Sequence, residues 1–135
     1  EILLHRSGCW QGELSVLDDQ MSLTDRQPYE ERVTWTAEGI GARTVGGAFA
    51  AEPHAIQLRS DGWHARTTGG SVAGTYSLSG GRARIAELHY LREELRVCSR
   101  EVVSNDGKCK AVMQNWYRGG TRVGAQFGVL RFEAA

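Results

Sequence analysis

The sequence predicts an all-β domain, an up-and-down antiparallel β-barrel of about ten short strands. Three observations point there. Turn-forming pairs interrupt the chain at short intervals, among them Asp18-Asp19, Glu52-Pro53, Asp61-Gly62, Gly69-Gly70, Asn105-Asp106-Gly107 and Gly119-Gly120. Their spacing is roughly 8–13 residues, the rhythm of short strands joined by tight turns. Most glycines fall at these breaks, and no long stretch carries a convincing helical period. At 135 residues the chain suits one domain with one core, residues 1–135.

Strands are expected near 9–17, 29–37, 42–50, 54–59, 62–68, 72–78, 82–91, 95–103, 108–118 and 121–132. Residues 84–95, RIAELHYLREEL, come closest to a helix. Their alternation and β-rich surroundings favour strand. An open meander leaves two exposed edges, and closure into a barrel removes them.

Side chains alternate across a strand, so charged residues indicate the solvent face. Lys110 and Arg118 place Cys109, Ala111, Met113, Asn115 and Tyr117 inward and Trp116 outward. A three-residue hairpin loop with Gly107 left-handed sets Ser104 opposite Lys108. Leu95, Val97, Ser99, Glu101 and Val103 then share that inward face. A two-residue Asp-Gly loop would instead align Arg96 and Arg100 with Tyr117 and Met113. In the first register Cys98 points out and Cys109 in, which excludes a disulfide between them. Arg84 outward leaves Ile85, Glu87, His89 and Leu91 inside. Arg32, Thr34 and Thr36 outward leave Tyr29, Glu31, Val33 and Trp35 inside. Trp10, Gly12, Leu14 and Val16 form the inner face of the first strand; Val123, Ala125, Phe127, Val129 and Arg131 form that of the last.

The expected interior thus holds Glu31, Glu87, His89, Glu101 and Asn115. Unpaired buried charge is costly, so this set implies either a wet cavity or some reversed faces. Trp35, Glu31, Met113, Asn115, Tyr117 and Phe127 are the candidate ligand contacts. His89 with Glu87 or Glu101 is the candidate acid–base set, because a carboxylate beside an imidazole tunes proton transfer.

Lys+Arg and Asp+Glu balance at sixteen each, so no nucleic-acid partner is expected. No apolar run approaches the roughly 20 residues of a membrane helix, and no signal-peptide pattern opens the chain. Cys9, Cys98 and Cys109 form no CxxC and no dense framework, which favours a reducing compartment, cytoplasm or plastid. His5, His54, His64 and His89 lack ligand spacing, so no metal is expected. There is no phosphate-binding loop and no GxSxG elbow. An outward Trp116 would mark a surface for a protein partner or a homodimer.

Gly8-Cys9-Trp10 resembles the Gly-x-Trp signature on the first strand of the calycin, or lipocalin-like, superfamily. In that family the tryptophan plugs one barrel end and a late arginine packs across it. Arg131 holds a similar position here. GCWQGELSVLDD and RVCSREVVSNDGKCKAVMQNWYR resemble the phycobiliprotein-lyase-type lipocalins and their plastid and cyanobacterial relatives. The resemblance implies a bound tetrapyrrole or other apolar ligand. Haem is disfavoured, since no histidine follows His89.

The leading expectation is a lipocalin-like binding protein enclosing a small hydrophobic molecule. Two others stand beside it: an enzyme of the same fold, a chromophore lyase or isomerase using His89 with Glu87 and Glu101, and a non-catalytic assembly protein with a filled barrel.

Overall fold

A computed structural model describes residues 4, 6–36, 39–46, 54–59, 62–67, 70–81, 84–92 and 94–135. It contains ten strands: β1 (Gly8–Leu17), β2 (Leu23–Thr36), β3 (Gly39–Gly46), β4 (His54–Arg59), β5 (Gly62–Thr67), β6 (Gly70–Ser79), β7 (Ile85–Arg92), β8 (Leu95–Val103), β9 (Cys109–Arg118) and β10 (Thr121–Ala134). All pairings are antiparallel, and there is no α-helix among the described residues. Residues 84–95 fall in β7 and β8, as their alternation predicts. Each strand pairs with its neighbours in sequence, and β1 pairs with both β2 and β10, so the order of pairings returns on itself. No helix among the described residues is long and apolar enough to cross a membrane.

β2 begins at Leu23 and runs through Pro28, earlier than its expected start at residue 29. The β1–β2 turn is tied by Asp18, whose Oδ1 accepts from the Gln20 and Ser22 amides at 2.9 Å. That Asx-type anchoring brings Leu17 back against Leu23 and leaves room for a long strand.

The β8–β9 hairpin adopts the register of the rejected alternative. Arg96 lies opposite Tyr117 and Arg100 opposite Met113. Ser104 N–H donates to Cys109 O at 2.8 Å and Gly107 N–H to Ser104 O at 2.9 Å, with Gly107 left-handed at φ 73. Asp106 Oδ1 accepts from both Ser104 Oγ and the Lys108 amide. These bonds hold residues 105–108 as a four-residue loop. One residue of slip turns a whole strand over, and β9 is turned over relative to the expectation. Lys110, Val112, Gln114 and Trp116 face the enclosed side, while Met113, Asn115 and Tyr117 lie on the outer face. Val97, Ser99, Glu101 and Val103 of β8 do face inward as expected.

Two further strands reverse for related reasons. In β7, Ala86 is fully buried and Leu88 packs on the core, while His89 and Leu91 are exposed. Arg84, taken as outward, instead donates to Val103 O at 3.0 Å. In β10, Trp10 lies opposite Phe132 and Gly12 opposite Leu130. Residues directly opposite share a face, so Phe132 and Leu130 turn inward with Trp10, and Phe127, Val129 and Arg131 turn out. β1 and the described inner residues of β2 keep their expected faces.

The core comprises Leu4, Trp10, Leu14, Val33, Ala86, Val103 and Leu130, with Tyr29, Leu78, Leu88, Val112 and Phe132 against it. Backbone glycines make room for its large members. A Cβ on Gly128 would collide with Glu13 O and sit 2.9 Å from Leu14 Cδ2; one on Gly124 would sit 2.7 Å from the Trp116 ring. Overpacking of this kind costs about 1–3 kcal/mol. Gly128→Ala should lower the urea unfolding free energy by about that amount. Gly81→Ala, whose Cβ meets nothing within 4 Å, should leave the melt nearly unchanged.

Candidate functional site

β1 carries Trp10 into the core, fully buried. Gly8, two residues earlier, leaves its side-chain space to the Phe132 ring, 2.6 Å from where a Cβ would stand. The Phe132 and Trp10 rings meet tilted, centroids 4.8 Å apart. This is the local purpose of Gly8-x-Trp10: the glycine seats the ring that seats the tryptophan. Arg131 takes no part. It is exposed, with Gln11 opposite on one side and Cys109 on the other. The cation against this aromatic pair is Arg6, whose guanidinium carbon lies 3.8 Å from the Phe132 centroid and 5.7 Å from that of Trp10. Arg6 Nη2 also donates to Gly107 O in the β8–β9 loop.

Lys110 also lies against Trp10, its Nζ 4.9 Å from the ring centroid. Nζ donates to Glu31 Oε1 on β2 and to Glu101 Oε1 on β8, each at 3.0 Å. Tyr29 OH donates to Glu31 Oε2 at 3.2 Å. Lys110 is 1% exposed, yet the two glutamates keep 16% and 17% of their side-chain surface open.

One ammonium and two carboxylates in a buried place set their proton affinities against one another. Burial raises the Glu101 pKa, Lys110 pulls it back and Glu31 raises it again, for a net increase above 4.5. Burial alone would lower Lys110; the charges of Glu101 and Glu31 outweigh it and hold the amine above its usual 10.5. Burial, then Glu31 and Glu101, push the Tyr29 phenol well above 10. These last two shifts favour the ammonium form of Lys110 and the neutral phenol of Tyr29, with Glu31 and Glu101 as the acceptors beside them.

Farther along the same face lies a band of neutral polar groups. Gln114 Oε1 accepts from Trp116 Nε1 at 2.8 Å and from Gln126 Nε2 at 2.9 Å. Ser99 lies opposite Gln114. Trp116 is 7% exposed and faces inward, so the partner surface expected from an outward Trp116 has no basis.

Of the expected ligand contacts, Glu31 lies at the site. Met113, Asn115, Tyr117 and Phe127 are on the outer face, and the Trp35 side chain lies outside the described residues. Of the expected acid–base set, Glu101 is inside, but His89 and Glu87 are outside, so the three do not form one site. His89 Nδ1 lies 3.3 Å from Cys98 Sγ, and Glu87 lies 3.8 Å from Arg100. Cys98 stands opposite Asn115, six residues along β9 from Cys109, or about 20 Å at strand rise. That separation, rather than opposite faces, keeps the two thiols apart. Among the described residues no cluster of His, Cys, Asp and Glu is arranged to hold a metal.

Lys110, Arg6, Gln114 and Gln126 escaped the sequence reading. For Lys110 a signal existed: two inward glutamates required an inward cation, and a lysine lies near the start of the strand paired with that of Glu101.

No family model matches the chain, and no curated protein sequence matches it.

Three outcomes follow. Lys110→Met should cost about 3–5 kcal/mol, since it strands two carboxylates, whereas Lys110→Met with Glu31→Gln and Glu101→Gln should recover most of that in urea melts. Glu101, with its pKa raised, contributes stability below about pH 4.5 that is lost as pH rises through the folded value. Glu101→Gln should flatten that acid-side slope. Lys110 and Tyr29, also raised, contribute below their unfolded values of 10.5 and 10.0 and lose this as pH rises through the folded ones. Stability should therefore fall at alkaline pH, more gently in Tyr29→Phe. Finally, Arg6→Ala should cost roughly 0.5–2 kcal/mol and couple to Trp10→Ala in a double-mutant cycle, whereas Arg131→Ala should be additive with it.

Proposed function

We propose that the protein is a lipocalin-like binding protein whose ring of strands forms a barrel around a small, mostly apolar ligand, pigment, tetrapyrrole or lipid-like. The observation that carries this reading is the open surface of Glu31 and Glu101. Both point to the enclosed side, and the lysine between them is sealed, yet each keeps about one-sixth of its side chain accessible. Accessible surface on an inward group borders an interior space. Tyr29, Leu78, Leu88 and Val112, partly buried and packed against the core, would give that space an apolar wall. Ten strands also enclose a wider interior than the eight that side chains alone can fill. Such a pocket, apolar with a few placed polar groups, is the usual form of a small-molecule site.

The charge balance indicates which end of the ligand enters first. Two carboxylates against one ammonium leave an excess of acceptors, so the polar end is a donor, an amine or a pyrrole N–H. The lyase or isomerase reading has less support, because its histidine is outside and its inner glutamate is bound to Lys110.

The protein should be incubated with lipid and pigment extracts and analysed by native mass spectrometry, then by chromatography of the released ligand. A one-to-one adduct is expected, lost in Val112→Trp with the circular dichroism spectrum unchanged. Glu101→Gln should weaken an amine or tetrapyrrole ligand about ten- to a hundredfold, the worth of a charged hydrogen bond. No adduct with amines, fatty acids or tetrapyrroles would overturn the proposal.

A further inference from the structure

The outer face of β7, β8 and β9 carries a second constellation, independent of the interior. Cys98 stands at its centre. His89 is its direct partner on β7 and Asn115 its direct partner on β9. His89 is exposed, and its Nδ1 lies 3.3 Å from Cys98 Sγ. Two residues to either side on β8, and therefore on the same face, are the exposed Arg96 and Arg100. Arg96 lies over the Tyr117 ring, 4.9 Å from its centroid, and Arg100 lies 3.8 Å from Glu87 in a loose, solvent-exposed pair. Glu87 and Tyr117 are the other titratable groups that face this thiol from the neighbouring strands.

The other two cysteines have different settings. Cys9 Sγ lies 3.2 Å from Glu30 Oε1, and burial together with that carboxylate pushes its pKa up, which keeps it a thiol. Cys109 stands opposite Arg131 at the end of its strand, with no imidazole across from it. Cys98 alone combines a base in contact with its sulfur and cations on both sides.

Thiolates, not thiols, attack disulfides, and nearby cations favour both the thiolate and an incoming anion. We propose that Cys98 is a modification site that exchanges with small anionic disulfides of the glutathione class. His89 Nδ1 takes the proton from Cys98 Sγ. The sulfur attacks one sulfur of the disulfide, a Cys98–S–S bond forms and the original S–S bond breaks. The departing thiolate takes up the proton from the imidazolium. Cys98 is oxidised to a mixed disulfide, and half of the reagent is reduced to free thiol. Arg96 and Arg100 hold the reagent's carboxylates during the attack.

The test uses the whole chain with three probes: glutathione disulfide (anionic), hydroxyethyl disulfide (neutral) and cystamine (cationic). Each rate is divided by that of a free cysteine derivative with the same probe, and the modified residue is mapped by peptide mass spectrometry. The expected result is first modification at Cys98, with normalised rates in the order anionic, neutral, cationic. Added salt should compress that order, because the attraction is screened beyond a Debye length of about 8 Å. His89→Gln should slow all three probes by about a hundredfold, the lower end of what loss of a positioned base costs. Arg96→Gln with Arg100→Gln should slow only the anionic probe, and Arg96→Lys with Arg100→Lys should restore it. First reaction at Cys9 or Cys109, or a cationic probe as fast as the anionic one, would overturn the assignment. So would a His89→Gln protein that reacts at the rate of the original.

Discussion

A single ammonium group, Lys110 Nζ, joins four strands. It is supplied by β9, held by carboxylates from β2 and β8, and laid against the indole that β1 contributes. Removing an ion from water costs several kcal/mol even after relaxation, and good geometry with several hydrogen bonds is what offsets it. The positions of Glu31, Glu101 and Trp10 are thereby tied to one another through one atom. A strand that slipped by one residue would turn Lys110 or one of its carboxylates into solvent and leave a buried charge with fewer partners. The network acts on register, since its net contribution to stability is small beside the penalty for assembling it wrongly.

Shape supports the same arrangement from below. Trp10 and Phe132 need space at their contact, and Gly8 leaves it. Gly12 and Gly128 do likewise for Leu130 and Leu14. Large inward side chains therefore alternate with inward glycines across β1 and β10. The guanidinium of Arg6 covers the outer side of the Phe132 ring and reaches the backbone of Gly107, so the segment before β1 is fixed to the β8–β9 loop.

The strand rhythm was legible because glycine and Asx turns punctuate the chain and the runs between them alternate. The faces were legible where ordinary partition holds: Leu14, Val16 and Val33 inward, Arg32 and Thr34 outward. They failed where a charged residue is the buried one. Lys110 was read as a solvent marker, and that reversal carried Met113, Asn115, Tyr117 and Trp116 with it. The Asn105-Asp106-Gly107 turn added a second error that offset the first on β8, because a three- and a four-residue loop share the same left-handed glycine and differ only in which residue closes the pair. His89 and Glu87 were misplaced through Arg84, a charged residue that spends its guanidinium on a backbone carbonyl. In each case polarity was used as a proxy for exposure, and a satisfied polar group breaks that proxy. Of the two candidate residues found, Glu31 was placed inward by Arg32 and Thr34 on the solvent face, whereas Glu101 came out inward because the reversed Lys110 and the one-residue register difference cancel on β8.

The two bonds of Lys110 differ in how far they reach along the chain. Glu101 is nine residues away, across a hairpin that forms locally; Glu31 is seventy-nine residues away, across β10 and β1. Contacts close in sequence form early, and distant ones wait on loop closure. Lys110 can therefore meet its first carboxylate while still wet and exchange water for the second only when β1 docks on β10. The pairing of β1 with β10 thus completes a set of ion pairs that the β8–β9 hairpin has begun. The lysine is already half-neutralised when that pairing forms, and parting β1 from β10 leaves it with its first partner.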